Sequence, residues 1–533
     1  MKKLVATIAA VVACGSLFAE GNEVTWTGNG ATAAWNDPDN WSAVPQEGDT
    51  AVFSEGTVTA TTGDLETFGL FSGFRIETGA TLLLSKFNGT FDQTLTGGGN
   101  LAADGAFDHT KIITFKADAS LFTGTFAFTN HHVDLYAPLG TTNDVFVTVA
   151  AGVSDVACPF GIELKGGAPA VMSNAFYFVG NSSKAPVLFN HYLTSGVTLA
   201  GPVKVVSNNV ALRLGGTDAY GITIAGGITG GGTLLTLGGG WNATVSGKPV
   251  RMDVKNVSAE APNYADLGGN LFGDAGNFII STVIESAYLN ADPGSFRFDA
   301  DHCSTTNTHW GFSLGQHDPG TYDLNGHDQD CGNMHYLKGL PTETNPKMII
   351  KSEEPATLTM HGRMQHVYQT STDPVNKRRR FAGLLNGAVT FVFKSDLLAT
   401  PAEINFLGAG SSTSGGIVSL KGTVNILADA TFTNLTLLAA QEQGKLNLET
   451  AEIGTLGKGL TVKASDSATM TINGGLVLQA KYAFLGDKWV EAGDYGGPDA
   501  GLDEKHTCAN LAGTGIVRVA EYGGPKGLML LVR

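Results

Sequence analysis

The feature that most constrains this chain is how briefly each run of apolar alternation lasts. Apolar and small polar side chains alternate for about three to six residues, then stop at Gly, Asn or Asp. Residues 196–237 step through Val197/Leu199, Val203/Val205, Val210/Leu212/Leu214, Ile222/Ile224 and Leu234/Leu237. Residues 415–478 keep the same rhythm with Val418/Leu420, Val424/Ile426, Leu435/Leu437, Leu446/Leu448, Leu460/Val462, Met470/Ile472 and Leu476/Leu478. Period-2 alternation buries one face of a strand. Turns roughly every 6–12 residues keep the strands short and numerous. Helical periodicity is almost absent, which leaves the all-β folds: sandwich, barrel or solenoid.

A recurring glycine unit favours the last of these. Leu95-Thr96-Gly97-Gly98-Gly99-Asn100-Leu101 returns as Ile228-Thr229-Gly230-Gly231-Gly232-Thr233-Leu234, and more loosely as Leu511-Ala512-Gly513-Thr514-Gly515-Ile516-Val517. Each reads as an apolar residue, a glycine turn and a new strand. Glycine permits positive φ and close backbone approach, both of which stacked coils need at their corners. The units are unevenly spaced, so the pattern is that of a degenerate solenoid.

Further stretches carry a family resemblance. Trp26, Gly28, Trp35, Asn40-Trp41, Pro45, Gly48-Asp49 and Ala51-Val52-Phe53 resemble the opening unit of autotransporter-type β-strand repeat proteins. Asp323-Leu324-Asn325-Gly326, followed by Gln329 and Gly332, resembles a recurring turn of that group. Thr123-Gly124-Thr125 resembles one of its strand starts, and Ala492-Gly493-Asp494-Tyr495 its closing unit. The resemblance implies a right-handed parallel β-solenoid displayed outside the cell, with tandem β-sandwich domains as the alternative fold. The end of the chain, Leu528-Met529-Leu530-Leu531-Val532-Arg533, lacks the long alternating strands of a membrane barrel. The expectation is a passenger-like chain without a translocator barrel of its own.

Composition and the N-terminus agree with export. Lys2 and Lys3, an apolar run from Leu4 to Ala13 and the small residue Ala19 read as a signal peptide. Val11-Val12-Ala13-Cys14 also fits a lipobox, which makes lipid anchoring through Cys14 the alternative. No later apolar run reaches the ~18 residues of a membrane-spanning helix. Glycine supplies 71 of 533 residues, about twice its usual share, and charged residues only 15%. A net charge of -16 speaks against nucleic acid and anionic membrane, which attract clustered Lys and Arg. The expected division is a signal peptide at 1–19, a Trp-rich capping segment at 20–60, repeats at 61–480 and a closing β unit at 481–533.

Six groups of residues invite a chemical reading. Trp26, Trp35 and Trp41 could stack on pyranose rings, but terminal repeats must cover an exposed core, so a cap is the preferred reading. Residues 301–335 concentrate metal-ligand types: Asp301, His302, Cys303, His309, His317 and Asp318, then His327, Asp328, Asp330, Cys331 and His335. Their spacing matches no zinc pattern, so no metal is expected. Cys303 and Cys331 lie about one coil plus a loop apart and form the candidate disulfide, although four exported cysteines allow three pairings. Lys377-Arg378-Arg379-Arg380 reads as a solvated basic loop. The acidic loop Asp494, Asp499, Asp503 and Glu504 follows no cation-binding spacing, and Gly268–Asp274 has the wrong register for a calcium nonapeptide.

No catalytic residue and no cofactor site is evident. Gly326-His327-Asp328 only partly matches the triplets of polysaccharide-cleaving β-helix enzymes, and nucleophile-elbow, phosphate-loop and dinucleotide fingerprints are missing. The expectation is an exported structural or adhesin-like β-repeat protein at the cell surface. Its partners would be extracellular glycans or envelope components. A carbohydrate-binding or polysaccharide-cleaving β-helix protein is the alternative.

Overall fold

A computed structural model describes residues 21–524 apart from 106–110, 151–160, 167, 180–186, 191–195, 206–210, 217–220, 231–232, 238–241, 246–249, 253–269, 275–276, 286–287, 292–293, 307, 313–319, 337–347, 363–379, 382, 398–402, 407 and 451–458. The signal-peptide and Cys14 expectations fall on residues outside this set. The fold is all-β, and the one α-helix among the described residues is the single turn Leu65–Phe68. No helix among them is long and apolar enough to cross a membrane.

The strands come in threes. Val203–Val205, Ala211–Gly216 and Ile222–Ile224 follow one another along the chain, and then Ile228–Gly230, Thr233–Leu237 and Asn242–Val245 do the same. Each strand of the second set pairs in parallel with its counterpart in the first. Repetition of this step builds a 10-stranded and an 11-stranded sheet in which most neighbours are every third strand in chain order. The third position is held first by a 5-stranded sheet from Glu23–Thr25 to Leu121–Phe122, then by a 21-stranded sheet that starts at Val171–Met172. Parallel strands cannot be joined by tight hairpins, so each must be reached by a crossover. Here the other two strands of the set make that crossover.

Buried apolar side chains form one continuous cluster from Val24 to Val519. Inward positions of successive strands stack on one another. Phe278, Phe296 and Tyr322 lie with ring centroids 5.4 and 5.6 Å apart and nearly parallel planes. Trp310 stacks 4.5 Å from Tyr322 and 5.3 Å from Phe298.

The repeated glycine unit has a plain geometric cause. Gly97 and Gly230 both have positive φ, at 95° and 121°. A Cβ at Gly97 would collide with the carbonyl oxygen of Ile76, and one at Gly230 with that of Val205. Each glycine therefore marks a corner that lies flat on the preceding coil. In the turn Asp323–Gly326, Asn325 and Gly326 have positive φ. The Asp323 carboxylate accepts from the Asn325 N–H at 3.0 Å, and Leu324 is buried beneath the turn.

Past residue 348 the corners change character. Met348–Met360, Leu384–Lys394, Gly416–Ile426 and Leu437–Leu448 are strands of 11–13 residues. Their registers shift at Ser352/Ala356, Phe393/Lys394 and Ser419/Lys421, so a single strand bends through a bulge from one face to the next.

Almost every described strand pair is parallel. The exceptions lie at the C-terminal end, where Lys488–Trp489 runs antiparallel to Tyr482–Leu485 and Gly493–Gly496 antiparallel to Ile516–Val519. At the other end, an isolated antiparallel bridge joins Trp26 to Trp41.

Candidate functional site

The three N-terminal tryptophans converge. Trp35 is 0% and Trp41 5% exposed, and Trp26 is partly buried against them. Their ring centroids lie 4.9–5.9 Å apart in tilted and edge-on arrangements. Trp35 also packs on Phe53, Phe68, Phe71 and Phe74. The Trp35 indole N–H donates to the Thr59 carbonyl, and the Trp41 indole N–H to the Trp35 carbonyl, each at 2.8 Å. A platform for pyranose stacking needs indole faces open to solvent, and Trp35 and Trp41 offer none. Two polar residues of the opening motif hold the segment. Buried Asn40 donates to the carbonyls of Thr32 and Ala34 and accepts from the Gly30 N–H. Buried Asp49 accepts from the N–H groups of Asn22 and Gln46.

The histidine-rich stretch yields a ladder of His–Asp contacts between residues 28–35 apart in the chain. His302 Nδ1 lies 2.7 Å from Asp330 Oδ2. His361 Nε2 lies 2.9 Å from Asp330 Oδ1, and its Nδ1 2.9 Å from Asp396 Oδ1. Lys394 Nζ stands 3.3 Å from the other oxygen of Asp396. A neutral imidazole has one donor nitrogen, so a ring facing carboxylates on both sides is held as imidazolium. The hydrogen bond to Asp330 raises the His361 pKa, burial opposes the shift, and Asp396 adds to it. Burial would raise Asp330, but the bonds from His361 and His302 outweigh it and leave the carboxyl below its usual range. Asp301 accepts from the Asp328 N–H and faces His327, and Asp328 accepts from the Thr357 N–H. Side chains of His309, His317, Asp318 and His335 lie outside the described residues. Asp396 carried no sequence signal, because it stands 35 residues from the histidine it meets.

Cys303 and Cys331, the candidate disulfide pair, are both buried free thiols in this structure. The coil spacing does bring their neighbourhoods together, since the His302 N–H donates to the Asp328 carbonyl. In this register, however, it is Gln329 that reaches back, accepting from the Ser304 N–H and donating to the Ala300 carbonyl. Cys331 lies beyond it, opposite Met360. The Cys303 thiol donates to the Ala300 carbonyl at 3.2 Å. Burial pushes its pKa up to about 11 and that of Cys331 well above the usual thiol range.

Sequence reading overlooked a second charged cluster. His132 and Asp134 alternate along His132–Leu135, and the parallel ladder sets Asp134 opposite Glu163. These three are the one group among the described residues whose ligand atoms could converge on a metal ion. The positive charge between the carboxylates is that of Lys165, 2.5 Å from Glu163 and 3.3 Å from Asp134. His132 lies 3.0 Å from Asp134. Burial would raise Asp134, yet His132 and Lys165 hold it below its usual value.

Two carboxylates of the acidic loop have local partners. Asp494 pairs with Arg518, and Asp503 accepts from the N–H of His506 and faces its ring. Lys377–Arg379 and the side chain of Arg380 lie outside the described residues, as do the side chains of 268–274. Comparison with protein-family models, with curated proteins and with solved structures finds no match to this chain.

Proposed function

We propose that the chain is a right-handed β-solenoid, similar to an autotransporter passenger, that serves as a secreted or cell-surface structural and adhesin-like element. Support for the solenoid comes from strands that recur once per sheet, in parallel, around one continuous core. Hydrogen bonds between coils join residues such as Thr123 and Gly97, 26 apart, and Thr308 and Ile284, 24 apart.

The observation that carries the structural role is an amide ladder. The Asn425 side chain donates to that of Asn405 at 2.8 Å, and the Asn447 side chain donates to that of Asn425 at 2.7 Å. Identical amides bonded along a stack add cohesion from coil to coil and leave no reactive group. A glycan-cleaving site needs two carboxyl groups free to exchange protons across a substrate. One opposed pair, Asp134 and Glu163, is instead tied by Lys165 and His132.

Small-angle scattering tests the shape. At ~20–30 residues per coil the chain makes on the order of 20 coils, and at ~4.8 Å each these approach 100 Å. A compact sphere would rule out the single stack. Incubation with polysaccharides should release no reducing ends, and release would favour the enzymatic alternative.

A further inference from the structure

Among the described residues, the third sheet position has an interruption that leaves a pocket. The first sheet ends at Leu121–Phe122 and the next begins at Val171–Met172. Between them the chain passes as residues 136–143, which form no strand. Two buried asparagines replace the missing main-chain ladder. Asn143 donates to the carbonyls of Phe122 and Gly124, and Asn174 donates to those of Leu139 and Asn143. The break is therefore hydrogen-bonded and built, and it opens a cavity of about 310 Å³. That is near the lower end of the ~300–1,000 Å³ typical of ligand pockets.

The lining selects a ligand class. Asp118, Ser120, Thr141, Ser173 and Asn174 supply its polar groups. Asn174 is 2% exposed and uses both N–H groups on carbonyls, while its Oδ1 accepts from no described residue. Asp118 accepts from the Ser120 N–H, which holds its carboxyl below the usual range and keeps it an anionic acceptor. Among the described residues no lining residue is basic, which disfavours phosphate, sulfate and acidic sugars. None of the described lining residues is aromatic, while Pro138, Pro169 and the exposed Val171 provide aliphatic surface. Acceptors and hydroxyls beside an aliphatic wall suit a ring that carries several hydroxyl donors and C–H faces.

We propose that this pocket binds a single neutral sugar residue of a glycan chain. The proposal adds a ligand to the surface role and does not depend on it, since scattering decides the shape and ligand binding decides the pocket. The test is saturation-transfer NMR on the full exported chain with the methyl glycosides of glucose, galactose, mannose and N-acetylglucosamine. Sialic acid serves as the anionic control. At least one neutral glycoside should show transfer, and sialic acid should show none. Asp118→Ala and Ser173→Leu, both at exposed positions, should each weaken binding at least tenfold with the melting temperature unchanged. The proposal is overturned if no neutral glycoside shows transfer, if sialic acid binds as well, or if both variants bind like the parent.

Discussion

The first and the last described strands meet one physical problem by different means. A parallel β-stack leaves unpaired backbone groups and an uncovered core at each end. At the N-terminal end the cover is side-chain mass. Trp35 and Trp41 fill the space over Phe53, Phe71 and Phe74, and the Trp35 indole N–H occupies the carbonyl of Thr59 on the edge strand Gly56–Ala60. The short helical turns 62–68 add Phe68 and seat Leu65 beside the edge strand Gly89–Phe91. At the C-terminal end the cover is a reversal of chain direction. Gly493–Gly496 lies antiparallel on Ile516–Val519, whose other edge is parallel to Val477–Ala480. The comparison teaches that an end can be closed by filling the core or by spending the backbone groups. The first places most of its energy in a few large residues, while the second spreads it over main-chain bonds.

The largest expected effect follows from removing the first kind of cover. Deleting residues 22–53 should leave material that associates end to end, seen as a concentration-dependent mass in light scattering. Trp41→Ala alone should cost about 3–5 kcal/mol in denaturant unfolding. If it keeps its stability but loses affinity for a polysaccharide, the cluster is a sugar platform and the contrast between the ends collapses.

A smaller loss is expected at the other end. Tyr495 is 7% exposed and packs edge-on against His506. Tyr495→Ala should cost about 2 kcal/mol, because the main-chain ladder that closes this end survives the change. A loss equal to that of Trp41→Ala would show that both ends rely on aromatic mass.

The middle of the stack should respond to pH in a way the ends do not. The His361 pKa is raised by folding above the ~6.5 of an exposed imidazole. Its contribution is therefore complete below ~6.5 and is lost as the pH rises through the folded value. Folding lowers Asp330 and Asp396, so their contribution is present above ~3.9 and is lost as the pH falls through their folded values. Melting temperature should thus be best between about pH 4 and 6.5 for this ladder. His131, depressed by burial, pulls the other way, so the comparison is made against His361→Gln, which should flatten the decline above neutrality. The smallest effect belongs to the Asp494–Arg518 pair on the closing strands. It is solvent-screened, and Arg518→Ala should leave the melting temperature unchanged in calorimetry.

Much of this architecture was legible in local pattern. Alternation at Val203/Val205 and Ile222/Ile224 marks strands that are buried on one side. The glycine units mark corners, because only glycine tolerates the positive φ and the carbonyl beneath it at Gly97 and Gly230. The tryptophans announced a dense terminal cluster. The partners of the charged groups were not legible. His361 meets Asp330 and Asp396, and Asp134 meets Glu163, across distances set by the lengths of whole coils. The thiols follow the same rule: Gln329 reaches back to Ser304, while Cys331 stands opposite Met360.

By itself, then, the sequence determined strand type, corner positions and the chemistry available at the N-terminal end. These depend on side-chain alternation and backbone sterics within a few residues. Only the tertiary structure decided which side chains stand above one another: the amide ladder, the imidazolium between two carboxylates, the free thiols and the pocket at the interrupted sheet. Stacking register is the sum of every loop and bulge in a coil, and a slip of one residue turns a side chain to the opposite face.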